Sequence, residues 1–162
     1  MMSIATVRRR RLARIATLPP LALAFAAATV GFTGAAASAG TLPTTGPTIA
    51  MTITNNTGQP MVLQGSDNPY GEWIQGPRAV LAPWSSEIVT ATNNDPRGIG
   101  VDVTYGLPGD AQAVFMANNY QGDASLDGTR MTGNDGVYYG IASTVDTGFP
   151  NLNAGYTITM HP

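Results

Sequence analysis

The chain has no cysteine, no lysine and a single histidine in 162 residues. Without cysteine there is no disulfide, no thiol nucleophile and no lipid-modified leader of the lipobox type. The one histidine, His161, is next to the last residue, where a general base has no neighbours to hold it in place. A Ser-His-Asp triad would depend on that same residue, so acid–base and nucleophilic catalysis through histidine are excluded as leading readings. Strong helix formers are scarce beyond residue 40, whereas Thr, Asn, Gly and Pro are abundant.

Basic residues are also scarce once the first segment is set aside. Five of the eight are arginines at positions 8, 9, 10, 11 and 14, leaving only Arg78, Arg97 and Arg130. All ten acids lie further on, so residues 40–162 carry three bases minus ten acids, a formal charge of −7. That balance excludes nucleic acid as a partner, because neutralising phosphates takes clustered Lys and Arg. It equally excludes simple electrostatic docking on anionic membranes.

Residues 1–39 have a basic run, an apolar run over 21–32 and a small-residue end, Ala37-Ser38-Ala39. This is the order of a secretory signal peptide cleaved after about Ala39, and it predicts a secreted protein of the extracellular space or cell envelope. The alternative is an uncleaved membrane anchor, for which the Ala-rich run is weakly apolar. Residues 40–47 read as a flexible Pro/Thr/Gly linker. They contain a sortase-like Leu-Pro-Thr-Thr-Gly string at the wrong end of the chain to function as one.

From Thr48 the pattern has period two. Ile49, Met51 and Ile53 alternate with polar or small residues, and Asn55-Asn56-Thr57-Gly58 turns the chain into a strand begun by Met61-Val62-Leu63. Residues 85–92 read as a further strand. Val101, Val103 and Tyr105 alternate before Leu107-Pro108-Gly109-Asp110, which places Pro and Gly at the centre of a type II turn leading into Ala111. Residues 118–129 read as a long polar loop. Asn134-Asp135-Gly136 reads as a tight turn, with Val137, Tyr139 and Ile141 on one face of the next strand; Tyr156, Ile158 and Met160 close the series. Roughly seven to nine short strands at this spacing predict an all-β domain over 48–162, a compact antiparallel sandwich.

Residues 70–84 hold both tryptophans, with Pro77, Pro83, Gly71 and Gly76 between the strand-like runs. Trp73 and Trp84, with Tyr70 and Tyr120, fall in or beside predicted loops, where amphipathic rings contact lipid head groups, sugars or proteins. The alternative is that the tryptophans plug an open end of the core. Trp73, Trp84 and Tyr120, with Asn118 and Asn119 as hydrogen-bonding neighbours, are the candidate ligand contacts. Glu72 and Glu87 are the only glutamates and read as surface acids, although Glu72 would be the better candidate for a glycan hydrolase. Asp123, Asp127 and Asp135 lack the spacing of a calcium loop, so no metal and no cofactor is expected.

Gly71-Glu72-Trp73, Pro77, Val80 and Pro83 resemble the G-x-W-x(3)-P-x-x-φ-x-P stretch of the aegerolysin-related bacterial crystal proteins. Asn55-Asn56-Thr57-Gly58, the glycine-led strand Gly98-Ile99-Gly100-Val101, Asn119-Tyr120-Gln121-Gly122 and the closing strand from Tyr156 to Met160 fall in the matching order. The resemblance implies the compact β-sandwich also seen in actinoporin-like toxins. It further implies a non-enzymatic protein that binds membrane lipid or a lipid–sterol surface, in some members with a pore-forming partner. Residues 116–120 depart from the pattern, since the aegerolysin W-D-x-P-W segment is replaced by Met-Ala-Asn-Asn-Tyr. The competing expectation is a secreted protein-interaction or envelope domain that uses the same end of the sandwich without lipid.

Overall fold

The computed structural model describes residues 41–43 and 45–161. The expected signal peptide lies outside the described residues. Everything below concerns the unit Thr33–Pro162.

Two sheets face each other. The first has the order β10 (Tyr139–Thr147), β11 (Asn151–Met160), β1 (Thr48–Asn56), β5 (Ser85–Thr92), β3 (Glu72–Gln75). The second runs β4 (Val80–Leu81), β2 (Met61–Asp67), β6 (Gly98–Gly106), β7 (Gln112–Tyr120), β8 (Asp123–Ser125), with β9 (Arg130–Thr132) also on β7. The expected all-β sandwich is therefore the observed architecture, with eleven strands among the described residues instead of seven to nine. The additional strands are two to four residues long, too short to show a period of two.

Alternation built the core as the sequence predicted. Ile49, Met51 and Ile53 of β1 are buried in one core with Val89, Leu152 and Ile158 of the same sheet and Ile99, Val101 and Val103 of the other. Phe115 sits between two tyrosines, its ring centroid 6.4 Å from that of Tyr105 and 5.3 Å from that of Tyr156, both edge-to-face. Each such pair contributes about 0.5–1.5 kcal/mol beyond its buried area.

One pairing departs from the antiparallel expectation. β1 and β11 run parallel, with Thr48 opposite Asn151 and Asn56 opposite Thr159. The two strands are joined through the whole domain, which supplies the long crossover that a parallel pair needs. The β6–β7 hairpin forms as expected, with Gly106 opposite Gln112 and Gly109 at φ 79°, the left-handed value that position i+2 of a type II turn demands.

Two further expectations are corrected. Residues 118–120 are not loop: they extend β7 opposite Gly98, Ile99 and Gly100, because register with β6 overrides the low strand propensity of asparagine. The remainder of the supposed loop contributes β8, and β9 follows directly after it, both on the same edge of β7. Between them the Thr129 hydroxyl accepts from the Met116 amide at 3.1 Å and donates to its carbonyl at 3.3 Å, filling the gap in the ladder. Val137 belongs to a 3-10 turn over Asn134–Tyr138 and not to a strand. Asp110 sets that turn by accepting from the Asn134 amide at 2.9 Å and the Asp135 amide at 2.7 Å, which holds its carboxyl below the usual carboxylate range. The end of the linker is fixed to the sheet, since the Pro47 carbonyl accepts from the Asn93 amide at 3.2 Å.

Candidate functional site

The tryptophan-bearing stretch crosses from one pole of the sandwich to the other. Tyr70 and Glu72 lie near the pole where β1 begins, because Glu72 pairs with Thr92, which pairs with Thr48. Trp84 lies at the pole where β1 ends, because its neighbour Ser85 pairs with Asn55. Seven residues of strand separate these levels, on the order of 25 Å.

Buried polar groups pin the connection between those points. Glu87 is 1% exposed, which corrects its reading as a surface acid. One of its oxygens accepts from the Arg78 amide at 2.9 Å, and the other stands 2.6 Å from the Tyr105 hydroxyl. The Arg78 carbonyl is also 2.6 Å from that hydroxyl, so the single phenol proton lies between two acceptors and both backbone groups of Arg78 find partners in the core. Burial first, and then the bond to Glu87, push the Tyr105 phenol well above its usual range. Asn55, also fully buried, donates to the Ala82 carbonyl at 3.1 Å and accepts from the Thr57 hydroxyl at 2.7 Å. Ser85 closes the other side of the turn by donating to the Ala82 carbonyl at 2.6 Å.

Held by Asn55 and Ser85, Trp84 takes φ 55°, making it the only non-glycine residue with a positive φ among the described residues. For a bulky side chain this left-handed backbone is strained, about 1–2 kcal/mol. The indole nevertheless remains 68% exposed. Trp73 does the opposite. It pairs with Ala91, shares that residue's inward face and is half-buried against the core. The two readings of the tryptophans are thus divided between them: Trp73 plugs the core, and Trp84 points out.

The remaining candidates are at the far pole. Along β7, Asn118 and Tyr120 project outward while Asn119 projects inward, as strand alternation requires. Asn119 is fully buried and donates its amide to the Thr48 and Pro150 carbonyls at 2.7 and 2.8 Å, tying the second sheet to the first. Its side chain serves the fold. Tyr120 and Asn118 lie together over Gly98 and Gly100; a Cβ on Gly100 would stand 3.1 Å from the Tyr120 hydroxyl and 3.0 Å from Asn118 Oδ1. The five sequence-predicted residues therefore do not form one site.

Sequence reasoning missed the surface around Trp84. Among the described residues, Val62, Val80, Trp84, Val137, Tyr138 and Met160 are exposed by 49 to 75%, and all six sit at or beside the Trp84 pole. The register places them there: Thr159 is level with Asn56, Met160 pairs with Tyr139, and Val62 pairs with Val80 just after the β1–β2 turn. Two other large hydrophobic residues are exposed among the described residues, Tyr70 at 70% and Val145 at 43%, and neither is at this pole. The three described bases do not gather there; they are spread over the β3–β4 connection (Arg78), the opposite pole (Arg97) and the edge strand β9 (Arg130).

The described residues contain no group of three or more metal-ligating side chains and no helix long and apolar enough to cross a membrane. The glutamates are no catalytic pair, since Glu72 is level with Thr92, five residues along β5 from Glu87. That separation is about 17 Å, beyond the ~5–9.5 Å between the carboxylates of a glycosidase.

No protein-family model matches the chain, and no curated protein is similar to it in sequence. A solved structure shares its fold. The lipid-binding protein Nakanori superposes with a TM-score of 0.58 over 70% of this chain and 71% of its own, at 9% identity. IP-1A from Alcaligenes faecalis gives a TM-score of 0.49 over 72% of this chain and 92% of its own, at 12% identity.

Proposed function

We propose that this is an exported, non-enzymatic β-sandwich that binds a lipid surface through the pole bearing Trp84. The observation that carries the reading is that six of the eight exposed large hydrophobic side chains among the described residues lie at one end of the sandwich. An apolar rim of this kind marks an interaction surface, and an indole beside a tyrosine suits the boundary between head groups and acyl chains. The strained backbone at Trp84 fits the same purpose, because strain that the surroundings impose tends to collect at binding positions. The fold shared with a lipid-binding protein agrees with the reading.

Charge narrows the surface. With dispersed bases and a formal charge of −7 beyond residue 39, attraction to anionic lipid contributes nothing. The surface is therefore zwitterionic or uncharged, and binding is driven by apolar burial. The test is sedimentation with phosphatidylcholine, sphingomyelin and sphingomyelin–cholesterol vesicles at low and high salt. Binding to at least one composition that is insensitive to salt and lost in Trp84→Ala supports the proposal. Binding that needs anionic lipid and collapses with salt refutes it, as does a Trp84→Ala variant that binds like the unsubstituted protein.

A further inference from the structure

The opposite pole has a second, chemically different feature. A cleft of about 430 Å³ is lined by Tyr70, Asn93, Asp95, Arg97, Gly98 and Tyr120. Its volume is within the ~300–1,000 Å³ of small-molecule sites. Past Tyr70 it continues into a smaller recess of about 180 Å³ along Gly71, Glu72 and Thr92.

The walls are built rather than incidental. Gly98 has φ 144°, and its hydrogen occupies space against the Tyr120 ring that no side chain could share. Tyr70, from the β2–β3 connection, is 70% exposed. The loop between β5 and β6 is held by Asn93, which donates to the Gly98 carbonyl at 2.7 Å and accepts from the Asp95 amide at 3.1 Å. Arg97 lies against Asp95, its Nε 3.0 and 2.9 Å from the two carboxylate oxygens. That bond holds the Asp95 carboxyl down at about 2, so the pair stays charged across the physiological range.

These groups select a ligand class. The sole cation is already neutralised by Asp95, and Glu72 adds a negative charge at the recess, so an anion is disfavoured. An apolar ligand would cover the ion pair and the tyrosine hydroxyls and offer them no hydrogen bonds in place of water. Aromatic faces beside fixed, planar donors and acceptors suit a neutral molecule that presents C–H faces and hydroxyls together. We propose that this cleft binds a neutral saccharide, so that one molecule holds a lipid surface at one pole and a glycan at the other.

The test is protein-observed NMR with neutral trisaccharides of glucose, galactose, mannose and N-acetylglucosamine, with inorganic phosphate as a further probe. The expected result is saturable shifts from at least one trisaccharide at Tyr70, Arg97 and Tyr120. Tyr70→Ala, an exposed position that leaves the circular dichroism spectrum unchanged, weakens that binding about tenfold, the scale of one lost aromatic contact. It leaves vesicle binding intact, whereas Trp84→Ala does the reverse. The proposal is overturned if no trisaccharide shifts these residues, if phosphate alone does, or if Tyr70→Ala abolishes vesicle binding as Trp84→Ala does. Because the vesicle and sugar measurements are separate, failure of one reading leaves the other standing.

Discussion

The Tyr105 hydroxyl stands 2.6 Å from Oε1 of Glu87, inside the sandwich, and together the two side chains hold both backbone polar groups of Arg78. A carboxylate in the core is costly unless its oxygens are bonded; here Oε2 accepts from the Arg78 amide, and Oε1 shares the one Tyr105 proton with the Arg78 carbonyl. What the bonds secure is the connection that runs on to Trp84. The core thus positions the exposed pole, and the two are coupled through one buried pair.

Disruption of that pair therefore costs stability in a non-additive way. Tyr105→Phe is expected to destabilise by about 1–3 kcal/mol by leaving acceptors unpaired, and Glu87→Ala by about 2–4 kcal/mol, with a cavity added to the lost bonds. The double variant falls short of the sum by about 0.5–3 kcal/mol. Urea unfolding of the four proteins measures this; additivity within experimental error would show that the two side chains act independently.

Alkaline pH gives a second expectation. Burial raises the phenols of both Tyr105 and Tyr156 far above their ordinary range, Tyr156 while donating to the Met116 carbonyl at 2.6 Å. In the unfolded chain both titrate near pH 10. The folded state holds those protons more tightly, so their contribution is complete below about pH 10 and is lost as pH rises beyond it. Stability should fall above pH 10, and the phenolate absorbance of these two residues should appear together with unfolding. A Tyr156→Phe variant should show a shallower decline, and an equally steep one would refute the assignment.

Across β2 and β6, Asp67 and Asp102 are directly opposed. Partial burial, and then the Asp67 charge, raise the Asp102 carboxyl. A raised carboxyl favours the fold below its unfolded pKa of about 4 and loses that advantage as pH climbs through the folded value. Asp102→Asn is therefore expected to stabilise at neutral pH by a few tenths of a kcal/mol, with the gain vanishing near pH 3. Thermal unfolding at the two pH values checks the sign, and an equal gain at both would exclude the charge as its source.

Much of this arrangement was legible in the residues, and the rest was hidden for a common reason. Ser85–Thr92 has the bounds that its sequence predicted, and the β6–β7 turn falls at Pro108-Gly109. Asn55, Glu87 and Asn119 were misjudged because polarity was weighed above parity. Asn55 continues the inward series Ile49, Met51, Ile53; Glu87 begins the series that Val89 and Ala91 continue; Asn119 ends the series Ala113, Phe115, Ala117. In each case the period of two extends one step beyond the apolar residues, and the polar member ties a neighbouring segment. The split of the aromatic set could not be read this way. It depends on the level at which each loop meets β1, which only long-range register decides.

The last expectation concerns Trp84 itself, where fold and function make opposite demands. A left-handed backbone costs a bulky residue about 1–2 kcal/mol, and glycine adopts it freely. Trp84→Gly relieves that strain but adds about 0.5–1 kcal/mol of unfolded-chain entropy. Since a 68% exposed indole forfeits little packing, the net effect on stability is expected to lie between neutral and about 1 kcal/mol stabilising. Lipid binding should move the other way. Burying an indole in the membrane boundary contributes about 1.5–3 kcal/mol, so its loss lowers partitioning roughly 10- to 100-fold. Trp84→Ala separates the two effects, because it removes the indole and leaves the strain. It should lose binding like the glycine variant without matching its stability. Urea unfolding beside vesicle sedimentation reads both quantities on the same proteins. A glycine variant that unfolds more easily would mean that Trp84 is packed as part of the fold, and the strained backbone would then need another cause.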